Sequence, residues 1–324
     1  MLDVRRLRIL HHLATYGTVA AAADALHLTA PAVSQQLAVL EREAGIPVVE
    51  KQGRTLRLTA AGELLVAHAE VVLGDLAAAE SDLAALRGGR RGLIRVAAFA
   101  SAARTLLPLV YRAFAEQAED SEPALTVHLV EQEPDAALEA LRKRETDVAV
   151  VHGYTVLPRD FPSGSEQELL MDDPVVAVLH PDRAQALGLT PGRPADLVDL
   201  AHDPWLTPAP DTSCYEMIQR TCGAAGFVPD IRVRSSDFSV LTALVAAGAG
   251  VALAPRLAVP ENAEGVSLHP LVMPVSRTIF TVSRSGTAHR PDIHLLGALL
   301  KDAATGAASA VRAADSRGVS SGGG

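Results

Sequence analysis

The segment 18–43, TVAAAADALHLTAPAVSQQLAVLERE, restricts the fold most, because it has the pattern of two helices joined by a tight turn. Thr18 is suited to cap the first of these helices, and the turn follows at His27. Thr29 is suited to cap the second helix, and Pro31 falls in its first turn, where a missing N–H has no cost. The segment therefore predicts a helix-turn-helix.

The second helix of this pair has one apolar face and one small, polar face. Apolar residues spaced at i, i+4 and i+7 must point into a core, and these are Val33, Leu37 and Leu40. The opposite face carries Ala30, Ser34, Gln35 and Ala38. Small side chains allow a close approach to the major groove, and a glutamine amide pairs with N6 and N7 of adenine. We therefore expect this face to contact DNA bases.

A helix before the pair and a basic hairpin after it complete the pattern. Apolar residues recur at three-residue intervals up to Gly17, and these are Val4, Leu7, Leu10 and Leu13. The segment 47–59, PVVEKQGRTLRLT, predicts two short strands with exposed basic residues, namely Lys51, Arg54 and Arg57. Together these elements predict a winged helix-turn-helix domain at residues 1–60. A small helical domain with no role in DNA binding is the alternative.

The distribution of charge is compatible with a DNA-binding N-terminus. The whole chain has a net charge of −9, but residues 1–60 carry +2, residues 61–92 carry −2 and residues 93–324 carry −9. Only the first segment could therefore face phosphates. An excess of two positive charges is also within ordinary surface variation, so charge alone does not decide the matter.

Residues 61–87 repeat apolar side chains with the period of a coiled coil. The a and d positions of the heptads are filled by Leu65, Ala69, Val72, Leu76, Ala79, Leu83 and Leu86. We expect this seam to pair with the same helix of a second subunit, which also suits a two-fold operator. Burial of the seam within its own chain is the alternative.

The rest of the chain alternates strand-like and helix-like segments, which predicts sheets of parallel strands flanked by helices. Two such series and a return crossing predict two lobes with a cleft. We assign a hinge to 88–92 and a two-lobed domain to 93–301, with lobe 1 at about 93–160 and 271–301 and lobe 2 at about 161–270. The segment 302–324 is small, polar and ends in glycines, and we expect it to be disordered.

Ligands of such folds lie beyond the carboxyl ends of the strands. The residues that follow the predicted strands are Ala100, Ser101, Ala102, Gln132, Glu133, His152, Gly153, Tyr154, Thr207 and Pro208. Ser101 is the strongest candidate, since its hydroxyl and backbone N–H could act together, although an ordinary helix N-cap is an equal interpretation. Glu133 would disfavour a simple organic anion unless a cation offsets it, so the charge of the effector stays open.

Several classes of protein and site are disfavoured by the sequence. It contains no run of about 18 apolar residues and no secretory signal, so we expect a cytoplasmic protein without membrane association. The G-x-G in 246–255 joins a helix to a strand, the reverse of a dinucleotide site. His11 and His12 diverge by roughly 100° on one helix, with no third metal ligand in view. We expect no cofactor, no metal and, without a catalytic motif, no enzymatic activity.

The segment AAAADALHLTAPAVSQQLAVLEREAGIPVVEKQGRTLRLTAAGELL resembles the LysR-type transcriptional regulators, and the resemblance extends over about 300 residues. It has the family's order of an Ala-rich helix, a Pro-Ala-Val-Ser recognition helix, a wing and a Leu-Thr-x-Ala-Gly exit. The resemblance implies base and phosphate contacts from Thr29, Ala30, Pro31, Ser34, Gln35 and Arg54. Ala30 stands where the family frequently has glutamine, and Gln35 where it frequently has arginine.

The same resemblance implies the fold class and the function. The expected fold is an α+β multidomain chain with an N-terminal winged helix-turn-helix, a long dimerising linker helix and a C-terminal two-lobed α/β domain like periplasmic solute-binding proteins. The expected function is sequence-specific regulation of transcription in response to a small-molecule effector held between the lobes. The implied partners are a double-stranded DNA operator, a second copy or a tetramer of the chain, and RNA polymerase.

Two other functions stay open from the sequence. One is an enzyme or solute-binding protein with an accessory DNA-binding module. The other is a thiol-based redox-sensing regulator, because peroxide-sensing LysR-type proteins have a cysteine pair nine residues apart, whereas Cys214 and Cys222 are eight apart. Eight residues on one helix rise ~12 Å, too far for a disulfide without local unfolding. Packing in the core is therefore the preferred interpretation of both thiols.

Overall fold

A computed structural model describes residues 2–52, 55–86, 92–117, 125–190, 192–287 and 290–320. They form a helical N-terminal domain with a two-stranded wing, one long helix, and a C-terminal domain built on a nine-stranded sheet. This architecture confirms the predicted fold class. Within the described ranges, no helix is both long and apolar enough to cross a membrane.

The N-terminal domain contains α1 (Val4–Tyr16), α2 (Val19–Ala25), α3 (Ala30–Ala44), β1 (Val49–Gln52) and β2 (Thr55–Leu58). Both predicted helix caps are present. The Thr18 hydroxyl oxygen accepts from the N–H of Ala21, and that of Thr29 accepts from the N–H of Ala32. Gly17 ends α1 with a φ of 73°, a left-handed conformation that glycine adopts without strain.

The core of this domain lies beneath α3, as the apolar period predicts. The exposed fraction is at most 2% for Val33, Leu37 and Leu40. The Glu41 carboxylate accepts from the backbone N–H groups of Val48 and Val49, which fixes the start of the wing to the recognition helix.

The long helix α4 (Ala60–Leu86) begins directly after the wing and packs along α1. A methyl group at Gly62 would lie 2.1 Å from the carbonyl oxygen of Val48, so only glycine fits where the helix passes the wing. The first turns of α4 therefore belong to the N-terminal domain.

The C-terminal domain contains, in chain order, β3 (Gly92–Ala98), α5 (Ala100–Thr105), α6 (Leu107–Gln117), β4 (Leu125–Glu131), α7 (Pro134–Arg142), β5 (Val148–Tyr154), β6 (Ser165–Leu179), α8 (Pro181–Ala186), β7 (Pro204–Thr207), α9 (Ser213–Ala224), β8 (Asp230–Arg234), α10 (Phe238–Ala246), β9 (Val251–Pro255), β10 (Ser267–Pro270), β11 (Ser276–Arg284) and α11 (Pro291–Ser320). Two 3₁₀ turns, Leu197–Leu200 and Arg256–Ala258, complete it.

The strands follow the order β4-β3-β5-β11-β6-β9-β7-β8, and β10 pairs with β6. Neighbours within β4-β3-β5 and β9-β7-β8 are parallel, whereas β11 and β6 run antiparallel to their neighbours. The sheets are therefore mixed rather than purely parallel as predicted. An antiparallel return strand lets the chain cross between the lobes without a helical crossover.

The strand β6 joins the two lobes. Its first part, 165–174, pairs with β11 in the first lobe, and its last part, 175–179, pairs with β9 and β10 in the second. The predicted start of lobe 2 at residue 161 is therefore wrong. Lobe 2 begins at residue 175, within β6, because a single continuous strand belongs to both lobes.

The final helix corrects the prediction of a disordered tail at 302–324. The helix α11 continues to Ser320, and Ala303 and Ala304 are buried in the core of the first lobe. Alanine has the highest helix propensity, and its small side chain lets the helix lie close to the sheet. The prediction is wrong for 302–320, and residues 321–324 lie outside the described part.

Candidate functional site

The outer face of α3 presents the residues predicted to contact DNA. Pro31, Ser34 and Gln35 are exposed, and so is Thr29 at the start of the helix. Ala30 is only half-buried and packs against the core of the domain. The hydroxyl oxygen of Thr29 accepts one hydrogen bond within its own helix, and its proton can still donate to a DNA phosphate. Base contact from this exposed face therefore stays a prediction.

The wing carries the charge beside this face. Lys51 in β1 and Arg57 in β2 are exposed and face solvent. Arg57 lies opposite Glu50 across the hairpin, whereas Lys51 lies opposite Leu56. Lys51 therefore has no carboxylate opposite it on the neighbouring strand. The predicted contact from Arg54 falls at the turn, outside the described residues.

The predicted dimerisation seam of α4 is divided into two parts. Leu65 and Ala69 pack into the core of the N-terminal domain, with Ala69 fully buried, and Val72 is half-buried. Leu76 and Leu83 remain 46% and 53% exposed. The prediction that the whole seam faces a second subunit is wrong for its first turns, because α1 already covers them.

The rest of the seam is exposed in the described part of the chain. Ala79 is exposed like its neighbours Leu76 and Leu83, and the side chain of Leu86 lies outside the described residues. The exposed leucines are seven residues apart, so they project from the same side of α4. This second part of the seam is available to a second copy.

A buried ion pair lies between the ends of the strands in the first lobe. The Arg277 side chain in β11 donates to the Asp173 carboxylate at 2.8 Å and to the Ser101 hydroxyl oxygen at 2.7 Å. Asp173 also accepts from the backbone N–H of Leu257 at 2.9 Å. The guanidinium lies 4.8 Å from the centre of the Phe99 ring. Its positive charge is thus satisfied by the protein itself.

This arrangement changes the role expected of Ser101. The N-cap of α5 is Phe99, so the alternative of an ordinary N-cap is wrong. Ser101 is buried, and its oxygen accepts from Arg277, which leaves its hydroxyl proton free for another acceptor. Ser101 therefore presents a donor beside the ion pair.

Several buried polar atoms in the two lobes have no hydrogen-bond partner among the described residues, namely Gln132 Oε1, His152 Nδ1, Thr207 Oγ1 and Ser213 Oγ. The Tyr154 hydroxyl has only the weak Cys214 thiol beside it. Arg277 acts electrostatically on both His152 and Tyr154, and the rings of these two residues lie 5.1 Å apart. Each buried atom without a partner costs roughly 1–3 kcal/mol. Such a concentration of unpaired groups from both lobes marks a candidate ligand site, which we call the interlobe site.

The charges at the interlobe site do not favour an anion. Burial lowers the pKa of His152 well below its ordinary value, and the nearby Arg277 and Arg159 lower it further, so the imidazole is neutral. Desolvation around its carboxyl group raises the pKa of Glu133, although the residue reaches solvent at the edge of the site. Arg277 and Arg159 act in the opposite direction and lower the pKa of Glu133, whereas Asp211 raises it.

The structure does not bring every predicted effector residue to this site. Ala102 is buried in the core of the first lobe, Pro208 is buried, and Ala100 is exposed. Gly153 points to the opposite side of β5 from His152 and Tyr154, against the turn that contains Arg159. The prediction of ligand contacts from Ala102 and Gly153 is therefore wrong. The periodicity of the helix and of the strand directs these two positions away from the interlobe site.

Sequence reasoning missed Arg277, Asp173 and Ser213. A signal was present for Arg277, since an arginine at an inward position of the alternating strand SRTIFTVSR is unusual without a buried partner. Asp173 lies on a distant strand, so its pairing with Arg277 depends on the sheet order.

The two cysteines are unlike reactive thiols. Cys214 and Cys222 are both buried on α9, and burial raises the pKa of each to about 12. The thiolate is the form that oxidants attack, so both groups are unreactive near neutral pH. The Cys214 thiol lies beside the Tyr154 hydroxyl and forms part of the wall of the interlobe site.

Comparison with known proteins decides the family. A family model for bacterial regulatory helix-turn-helix proteins of the lysR family matches residues 4–63, and one for the LysR substrate binding domain matches residues 87–305. The chain belongs to the LysR family of transcriptional regulators. It is a DNA-binding regulator of transcription with an effector-binding domain.

Individual relatives of this LysR-family protein span nearly all of its length. The transcriptional dual regulator GltC of Bacillus subtilis is 28% identical over 283 residues, which is 86% of this chain and 89% of GltC. The DNA-binding transcriptional dual regulator OxyR of Escherichia coli is 27% identical over 297 residues, 89% of this chain and 92% of OxyR. The crystal structure of ArgP from Mycobacterium tuberculosis has the same fold, with a TM-score of 0.61 and 22% identity over 94% of this chain and 98% of ArgP.

Proposed function

We propose that this regulator changes its binding to operator DNA when a polar small molecule without net negative charge occupies the interlobe site. The observation that carries the proposal is the set of buried polar atoms without hydrogen-bond partners in the two lobes, among them His152 Nδ1 on a ring that Arg277 influences electrostatically. A ligand that supplies hydrogen bonds to these atoms would recover the cost of leaving them unpaired.

The chemical class of the effector follows from the charges of the site. Arg277, a fully buried cation of the site, is neutralised by Asp173 and also donates to Ser101. Arg159, the other described cation that acts on His152, is paired with Asp135, and an organic anion would face Glu133 at the edge. Hydroxyl, amide and imidazole groups bind uncharged polar molecules, and the acidic edge favours a molecule that also carries an amine.

The effector would act on DNA through α4 and its second copy. The exposed leucines of α4 support pairing of two chains, which would place two recognition helices on one operator. The chemistry of α3 supports base contacts from Ser34 and Gln35, and Lys51 supports a phosphate contact. Contact with RNA polymerase is proposed from family membership alone.

The test combines effector discovery with operator binding. A thermal-shift panel would pair each carboxylic acid with its amide and its amine analogue, and the compounds that stabilise the protein would be titrated in fluorescence-anisotropy experiments on DNA from upstream of its own gene. We expect amides or amines, and not the matched acids, to stabilise the protein and to change its affinity for this DNA. A response confined to the acids would contradict the proposed effector class.

Two variants separate ligand binding from folding. Ser101→Ala should abolish the effector-dependent change while leaving DNA binding without effector intact, because the two sites lie on separate domains. Thr242→Ala is the matched control, since its hydroxyl is also buried but bonds to the carbonyl of Phe238 within its own helix. Loss of DNA binding and effector response together in Ser101→Ala would mean that Ser101 is only structural.

A further inference from the structure

A second polar pocket lies where the N-terminal domain and α4 meet the first lobe. It is lined on one side by His11 of α1 and Glu70 of α4, and on the other by the end of α7 with the following turn, the loop before β6 and the last residue of β11. Its charged and ionisable side chains are His11, Glu70, Arg142, Arg144 and Arg284. We call it the interdomain pocket, and it is separate from the interlobe site.

The two sides of the pocket approach each other closely. A methyl group at Gly164 would lie 2.3 Å from a Glu70 carboxylate oxygen, and one at Gly74 would lie 2.7 Å from the carbonyl oxygen of Ser285. The Arg142 guanidinium also donates to the carbonyl oxygen of Thr15 at the end of α1. These contacts hold α1 and α4 against the first lobe and make the pocket a fixed feature of the docked arrangement.

Two buried donors face this pocket without a partner among the described residues. They are Nδ1 of His11, a residue that is only 4% exposed, and Nε of Arg284. The other Arg284 nitrogens donate to the carbonyls of Leu141 and Thr146 and to Asp147. The nearest His11 contact to Glu70 is 3.8 Å, too long for a hydrogen bond.

The pocket has an excess of positive charge. Arg142 is paired with Glu139, and Arg284 with Asp147, but the Arg144 guanidinium has no hydrogen bond or ion pair within 4 Å in the described part of the chain. Burial lowers the pKa of His11 to about 4, and Arg144, His12, Arg142 and Arg284 all act in the same direction. A positive potential therefore remains at His11 in spite of Glu70.

We propose that the interdomain pocket binds a single halide-sized anion, chloride in solution, between His11, Arg144 and Arg284. The pocket offers about 20 Å³, which is room for one water-sized group and too little for a phosphate or a carboxylate ligand. The His11 tautomer with its proton on Nδ1 and the free Arg284 Nε–H would both donate to the anion, and Arg144 would balance its charge.

Occupancy of this pocket would stabilise the docking of the DNA-binding domain on the first lobe. The anion contacts groups from α1 on one side and from the first lobe on the other, so it binds the docked arrangement and not the separated one. Anything that binds only one of two arrangements shifts the equilibrium toward it. Chloride concentration would then influence how readily the N-terminal domain reorients on DNA.

The direct test is a crystal of the full chain soaked in bromide, whose anomalous scattering distinguishes it from water. We expect a bromide peak in contact with His11 Nδ1 and Arg284 Nε. A water molecule at this position in the presence of bromide, with no anomalous peak, would overturn the proposal.

The solution test measures the thermal unfolding midpoint of the full chain as acetate is replaced by chloride at constant ionic strength. At a chloride concentration ten times its Kd, the unfolding equilibrium of the native protein should shift about tenfold, which raises the midpoint by about 2 °C. Arg144→Gln should lose this chloride dependence, and Arg144→Lys should retain most of it.

The matched control is Arg112→Gln, because Arg112 is an exposed arginine of α6 that is paired only with Glu116. Its chloride dependence should equal that of the native protein. An equal chloride dependence in Arg144→Gln and the native protein would show that the effect is general screening and would overturn the site.

Discussion

The recognition helix and the interlobe site use similar polar residues, but those of the helix are exposed and those of the site are buried. On α3, Ser34 and Gln35 are exposed to water, so their polar groups are satisfied until DNA replaces the water. In the interlobe site, the hydroxyls of Thr207 and Ser213 are buried without partners among the described residues, so these polar groups are destabilising until a ligand binds. An exposed surface costs nothing to maintain, whereas a buried site is maintained at the expense of stability.

The largest effect should come from breaking the ion pair that supports the interlobe site. Arg277→Met leaves Asp173 buried without its partner, and we expect the effector-binding domain to lose about 3–5 kcal/mol of stability. Urea unfolding followed by the fluorescence of the buried Trp205 in the second lobe would measure this loss. The double variant Arg277→Met, Asp173→Leu should recover most of it, and a double variant as unstable as the single one would contradict the pairing argument.

Disruption of α4 should weaken DNA binding although no residue of the DNA-contacting surface is changed. Leu76→Asp places a carboxylate in the proposed seam between two subunits, and we expect it to weaken association by about 2–3 kcal/mol and operator binding with it. Analytical ultracentrifugation and anisotropy titrations would measure both effects. Leu76→Ala should show a smaller loss of both, and a Leu76→Asp protein that stays dimeric and binds normally would rule out this seam.

Variants of α3 and the wing should distinguish base contacts from phosphate contacts. Gln35→Ala should cost about 1–3 kcal/mol on the operator and almost nothing on random DNA, since only the correct base offers the lost hydrogen bonds. Titrations on both DNAs at several salt concentrations would measure this. An equal loss on operator and random DNA would remove Gln35 from base contact.

Lys51→Ala is the comparison for Gln35→Ala, because Lys51 can only supply charge to the backbone. It should weaken binding to both DNAs evenly and reduce the salt slope by roughly one unit. A sequence-dependent loss for Lys51→Ala would reverse the roles assigned to the helix and the wing.

The smallest expected effect is a gain in stability. It tests most directly whether the buried interlobe site is maintained at the expense of stability. Thr207→Val removes a buried hydroxyl without a partner while keeping the shape of the side chain, so the protein without ligand should become more stable by about 1 kcal/mol. Thr242→Val removes a hydroxyl that is bonded and should be destabilising. Thermal and urea unfolding would measure both. A destabilising effect of Thr207→Val would mean that its hydroxyl has a partner after all.

The sequence predicted the N-terminal domain almost completely because its information is local. The caps at Thr18 and Thr29, the turn between them and the inward period of Val33 and Leu37 depend on residues a few positions apart. The same local rules misjudged 302–320, where small polar residues were expected to be disordered but the helix continues against the first lobe. Burial of Ala303 and Ala304 depends on a distant surface that no local pattern reveals.

Sequence reasoning predicted only part of the interlobe site. The rule that ligands of α/β folds lie at strand ends led to Ser101, Gln132 and Thr207, which the structure places among the candidate groups of this site. The same rule included Ala102 and Gly153, whose positions point elsewhere.

The sequence by itself determined the winged helix-turn-helix, the heptad period of α4 and the two-lobed alternation, because periodicity and capping act over one or two turns of chain. Only the tertiary structure decided that the first turns of α4 are covered by α1, that one strand serves both lobes, and that Arg277 meets Asp173 and Ser101 across 104 and 176 residues of sequence. Those contacts depend on which strands become neighbours, and that order is set by the burial of whole faces rather than by any local pattern.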